Sequence, residues 1–186
     1  MFKNRERLII FALAIALIGV LIYHVTEFGG EGKDVKEATR EREEAPLPGS
    51  FAPPFALTGI EGQEQDLENF LGKPLILTFW NTGVVNENGI LKLLEELHLS
   101  DEEVAVVTIN VGESRKEVES FIQEKEYTLN VLLDKEKEIS HKYELETYPT
   151  TFALNAGGEI AFEREGKFNE EELQRLVESA RIPPSA

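Results

Sequence analysis

Pro74-Leu75-Ile76-Leu77-Thr78-Phe79-Trp80-Asn81-Thr82-Gly83-Val84-Val85-Asn86-Glu87-Asn88-Gly89 decides how this chain folds. Leu75 to Trp80 is a nearly continuous apolar run, the pattern of a central strand covered on both faces. A Gly/Asn-rich turn follows, and Ile90, Leu91, Leu94 and Leu97 then recur at helical spacing. Asn86 is placed to cap that helix, which is expected over residues 86–97. Strand, tight turn and helix in this order predict an α/β site at the carboxyl end of the strand.

Outward from this stretch the pattern repeats. Val104 to Ile109 reads as a second buried strand, and Ser114-Arg115-Lys116-Glu117 is a capping box opening a helix to about Glu126, with Val118, Phe121 and Ile122 toward the sheet. Val131 to Leu133 is a short strand and residues 136–145 a short helix. Thr151 to Leu154 and Glu159 to Arg164 flank Ala156-Gly157-Gly158, a hairpin signal. Asn169 caps a last helix whose Leu173, Leu176, Val177 and Ala180 form the buried stripe, and Pro183-Pro184 end it. Upstream, residues 53–58 and 63–67 around Gly59 to Gly62 predict an added N-terminal β-hairpin, followed by a helical turn over Asp66 to Phe70. The sum is an α/β domain over residues 50–182, a central mixed sheet with helices on both faces, and a tail at 183–186.

Ahead of the domain the composition changes. Leu8 to Tyr23 is apolar and uncharged behind the basic head of residues 1–7, which carries Lys3, Arg5 and Arg7. Residues 8–25 would extend about 27 Å as a helix at ~1.5 Å per residue, close to a hydrocarbon core of ~30 Å. No small-x-small cleavage signature follows, so the segment reads as an uncleaved transmembrane signal anchor. The basic head puts the N-terminus in the cytoplasm and the domain outside. Residues 26–49, glycine-led, charge-rich and closed by Pro46 and Pro48, read as a flexible linker.

The chain of 186 residues has no cysteine and a formal charge of −16. Structural disulfides and thiolate chemistry of its own are therefore excluded. Residues 1–30 carry +1, which leaves −17 on the rest and excludes a nucleic-acid surface. His24, His98 and His141 are scattered, and Asn86-Glu87-Asn88 reads as helix capping, so neither metal nor cofactor is implied. Ser114 beside Glu113 has no histidine near in sequence and reads as a cap, not a triad.

Pro54-Phe55-x-Leu57, Asp66-Leu67, Gly72-Lys73-Pro74, Phe79-Trp80-x-Thr82, Asn110-Val111-Gly112-Glu113-Ser114, Leu133-Asp134 and Tyr148-Pro149-Thr150-Thr151-Phe152 stand in one order and spacing. Together they resemble the membrane-anchored thiol-disulfide oxidoreductases of the ResA/TlpA group, within the thioredoxin-like (redoxin, AhpC/TSA) superfamily. The resemblance runs from about Leu47 to Ala180 and implies a thioredoxin-like fold. It also implies a cis-proline at Pro149, facing the turn and leaving a backbone edge for strand addition. The family's two cysteine positions fall on Val84 and Glu87, and its thiol-tuning carboxylate falls on Ile90. Disulfide exchange needs a thiolate attacking sulfur, which none of these residues supplies.

Three functions follow as expectations. The first is a redox-inactive binding module that holds an extended segment of an exported partner through Trp80, Val84, Val85, Tyr148 and Pro149. The second is the family's own thiol-disulfide oxidoreductase activity. The third is a structural or regulatory subunit in redox or cytochrome maturation. Val84 and Val85 either form an exposed apolar patch or plug the space left by the thiols.

Overall fold

A computed structural model describes residues 47–85 and 89–183. The basic head, the expected span at 8–25 and the linker as far as Pro46 lie outside the described residues, as do Asn86, Glu87, Asn88 and the tail from Pro184. Among the described residues no helix is long and apolar enough to cross a membrane.

The sheet has seven strands: β1 (Ala56–Gly59), β2 (Glu64–Asp66), β3 (Leu75–Trp80), β4 (Ala105–Val111), β5 (Asn130–Asp134), β6 (Thr150–Leu154) and β7 (Ile160–Glu165). Their spatial order is β2-β1-β5-β4-β3-β6-β7. β3, β4 and β5 are parallel; β6 pairs antiparallel with β3 and β7 with β6, while the β1–β2 hairpin pairs antiparallel with β5. The sheet is mixed because β3 and β4 are followed by helical crossovers, whereas β6 and β7 share a tight turn that needs no crossover. Gly158 closes that turn at φ 88°, a left-handed backbone that suits glycine.

Among the described residues five helices accompany the sheet: α1 (Thr82–Val85), α2 (Ile90–Ser100), α3 (Arg115–Lys125), α4 (Glu138–Lys142) and α5 (Glu170–Ala180). A 3-10 turn spans Leu67–Phe70, where a helical turn is predicted. Both expected caps form: Ser114 with Glu117 is the predicted capping box of α3, and Asn169, expected as a simple cap, forms a capping box with Glu172 at the start of α5.

Strand alternation divides the core between the two faces of the sheet. Ile76 and Trp80 face a cluster with Leu91 and Leu94 of α2, Val118 and Ile122 of α3, and Leu173 and Leu176 of α5. Leu75, Leu77 and Phe79 face the other, with Leu67, Ile139 of α4, Tyr143 and Phe152. Thr78 is buried with Thr151 beside it on β6, and the two hydroxyls share a 3.0 Å hydrogen bond, so neither polar group goes unpaired.

Among the boundaries that differ from the sequence pattern, two have a visible cause in the backbone. The helix expected from Asn86 begins at Ile90, because Gly89 at φ 69° forms its N-cap. The helix expected over 136–145 stops at Lys142, because Glu144 adopts φ 50° and the buried Tyr143 hydroxyl donates to the Pro53 carbonyl at 2.8 Å.

Candidate functional site

The site lies where the carboxyl ends of β3 and β4 meet the start of β6. Trp80 pairs in register with Asn110, and Phe79 with Thr150, so one further step along the ladder brings Pro149 opposite Trp80. The Tyr148–Pro149 peptide bond is cis. Gly166 donates its N–H to the Pro149 carbonyl at 2.7 Å. Tyr148, just ahead of β6, is half-buried, and among the described residues neither its backbone N–H nor its carbonyl is hydrogen-bonded.

The turn after β3 is a short helix. Asn81 caps it, its side-chain oxygen accepting from the Val84 N–H at 3.1 Å and its carbonyl from the Val85 N–H at 3.2 Å. Glu113 fastens this helix to the loop after β4. One carboxylate oxygen accepts the Thr82 hydroxyl; the other accepts the Thr82 N–H at 2.9 Å and the amide of buried Asn110. Beside this clasp runs an open groove of about 760 Å³ that includes Thr82, Gly83, Glu113 and Phe121. The Trp80 indole stacks at a tilt on Phe121, with ring centroids 5.7 Å apart.

The residues expected to form one patch separate here. Trp80 is 0% exposed and Val85 4%; both belong to the core cluster under α2 and α3. Ile90, at the position of the family's tuning carboxylate, is in the same cluster. Pro149 is buried and Tyr148 packs on the cluster of the opposite face. Val84, 37% exposed, stands at the surface. The two adjacent valines thus take opposite roles, one plugging the interior and one facing solvent. Glu87, the second cysteine position, lies outside the described residues.

Sequence reasoning did not assign Asn81, Asn110 or Glu113 to the site. Asn81 carried a signal, since asparagine before a helical stretch is an N-cap residue. Asn110 and Glu113 stood among the quoted landmarks, but their tie to Thr82 spans 31 residues and has no local signature. Two buried polar atoms at this end of the sheet, Trp80 Nε1 and Asn110 Oδ1, have no hydrogen-bond partner in the described structure. Among the described residues no group of His, Asp and Glu is arranged to hold a metal ion.

These features define a thioredoxin-like α/β domain whose strand–turn–helix site carries no sulfur. The AhpC/TSA family matches residues 48–163, and the chain belongs to that family. Thiol-disulfide oxidoreductase ResA of Geobacillus kaustophilus (strain HTA426) is 29% identical over 183 residues, covering 95% of this chain and 98% of that protein. Sporulation thiol-disulfide oxidoreductase A of Bacillus subtilis (strain 168) is 32% identical over 130 residues, 67% of this chain and 78% of that one. The crystal structure of StoA from Bacillus subtilis superposes with a TM-score of 0.59 at 27% identity, covering 68% of this chain and 98% of StoA. The resemblance read from the sequence motifs is therefore the right one.

Proposed function

We propose that this chain is a membrane-anchored binding module, held through residues 8–25 with its domain outside the cytoplasmic membrane, that receives an extended segment of an exported protein without thiol chemistry. The observation that carries the reading is the backbone of Tyr148 beside the turn, whose N–H and carbonyl have no hydrogen-bond partner among the described residues. A free N–H and C=O at the start of a strand offer main-chain hydrogen bonds to an added strand, and these work for any partner side chains. Val84 and Tyr148 then supply the side-chain surface, while Trp80, Val85 and Pro149 support it from below. The activity named for the relatives needs a thiolate, and no cysteine exists in this sequence to provide one.

The test places a photo-reactive benzoylphenylalanine at Val84, at Tyr148 and, as a control, at the exposed Glu171 of α5. Cells expressing the full chain should yield the same cross-linked exported protein from Val84 and Tyr148 and none from Glu171. Equal capture from all three would favour a structural or regulatory subunit acting through its whole acidic surface. Insulin-disulfide reduction by the purified chain above the dithiothreitol blank would remove the binding-only reading.

A further inference from the structure

We propose that the cleft between α2 and α5 is a second docking surface, for an amphipathic partner helix whose polar face is cationic. It stands apart from the Val84–Tyr148 site and does not depend on what that site binds. The cleft holds about 420 Å³. Leu93 and Leu97 of α2 line it, above Leu173 and Val177 of α5, which are themselves buried in the core; each pair is one helical turn apart. Leu93 and Leu97 are only partly covered by the protein's own packing. Both walls are helices whose inner backbone groups are used up in their own ladders, so the cleft offers no strand edge. An occupant must gain from side-chain burial, which suits apolar residues spaced i, i+3/i+4 and i+7 on a helix.

The rim decides the charge of that occupant. Glu96, Glu170 and Glu178 stand exposed around the cleft. Among the described residues lining the cleft the one cation, Arg181, is engaged with Asp101 at 2.7 Å, a pair that also ties the C-terminal ends of α2 and α5 together, while Lys92 outside it stands 3.8 Å from Glu96 in an exposed pair. Lysines and arginines flanking the apolar stripe of an incoming helix would meet these carboxylates. A second copy of this chain is a poor occupant. None of its described helices carries net positive charge: α2 and α5 are acidic, and in α3 and α4 the charges balance.

The test uses the full chain in dodecylmaltoside micelles and a fluorescein-labelled Leu/Lys helix of about fourteen residues, roughly 21 Å long. Anisotropy should show saturable binding that weakens at least about tenfold in the Glu96→Lys/Glu178→Lys variant. It should weaken also between about 0.05 and about 0.5 M salt. A Leu/Glu peptide of the same pattern should not bind. Benzoylphenylalanine at Ser100, on the cleft wall, should label the Leu/Lys peptide, and at exposed Thr147 should not. The near-ultraviolet signal of Trp80 reports that each variant is folded. Equal affinity for wild type and the charge-reversed variant, as partition into micelles would give, overturns the proposal, and so does labelling from Thr147 in place of Ser100.

Discussion

Thr82 donates both its backbone N–H and its hydroxyl to one carboxylate, that of Glu113, 31 residues away in sequence. Asn110 donates to the same group, so three donors from β4 and the turn converge on one side chain. The turn after β3 is therefore held sideways to the neighbouring loop as well as by its own peptide bonds. That lateral hold fixes where Val84 stands.

Glu113→Ala removes the shared acceptor and strands the two donors of half-buried Thr82 and the amide of buried Asn110. The expected loss is about 1–3 kcal/mol, the usual range for stranding such groups. Glu113→Gln keeps an acceptor oxygen but turns an NH₂ toward the donors, and should fall between. Urea unfolding followed by the fluorescence of Trp80 measures both. A Glu113→Ala protein within about 0.5 kcal/mol of wild type would show that the clasp carries no stability.

Cysteines placed at both family positions, Val84→Cys with Glu87→Cys, should give the domain disulfide-exchange activity, for which the wild-type sequence holds no thiol. Val84→Cys alone should stall as a mixed disulfide, because no second thiol is present to release it. The insulin turbidity assay distinguishes the three proteins. A folded double variant with no turnover would mean that the turn has lost the geometry of its relatives as well as their sulfur.

Trp80 and Val84 make a contrasting pair. Trp80→Ala empties a fully buried, aromatic-stacked position and should cost about 3–5 kcal/mol. Val84→Ala, at the surface, should stay within about 0.5 kcal/mol. Chemical denaturation followed by far-ultraviolet circular dichroism reads both. Similar values for the two would contradict the placement of Trp80 in the core.

Glu163 on β7 has its carboxyl pushed above the ordinary range, first by burial and then by the charge of Glu165. The folded state thus holds this proton to higher pH than the unfolded state does. Stability from this group is full below the ordinary carboxylate value and is lost as pH rises through the raised one. Glu163→Gln should therefore melt higher than wild type at neutral pH, with the gap closing below about pH 4. Glu117 should behave oppositely. Hydrogen bonds from the Ser114 side chain and backbone lower its pKa, so what it contributes is present at neutral pH and disappears on acidification. Calorimetric scans of each single variant against pH separate the two signs.

The frame was legible in the sequence where the signal is local. The apolar run Leu75 to Trp80 could only be a two-sided strand, and the box at Ser114 and the cap at Asn169 fixed helix starts because a cap and its partners lie within one turn. The Ala156–Gly158 turn was legible for the same reason. What escaped was decided across the fold. Whether Val84 or Val85 points inward depends on the short helix that Asn81 caps. The start of α2 at Ile90 depends on the left-handed backbone of Gly89 and not on the capping preference of Asn86. Glu113 looked like a loop acid beside a capping serine until β3 and β4 placed Thr82 within its reach.

Val85 closes α1 and Ile90 opens α2, and both are sunk in the same core cluster. The residues that distinguish this chain from a thiol enzyme fall at Val84, before the first of these posts, and at Glu87, between the two. Val84 stands at the surface, outside the core cluster that holds both posts. At Val84 sulfur can therefore come or go without opening the core that Val85 and Ile90 fill. Catalysis in this architecture is a removable fitting, and inheritance of the shape does not bring inheritance of the reaction.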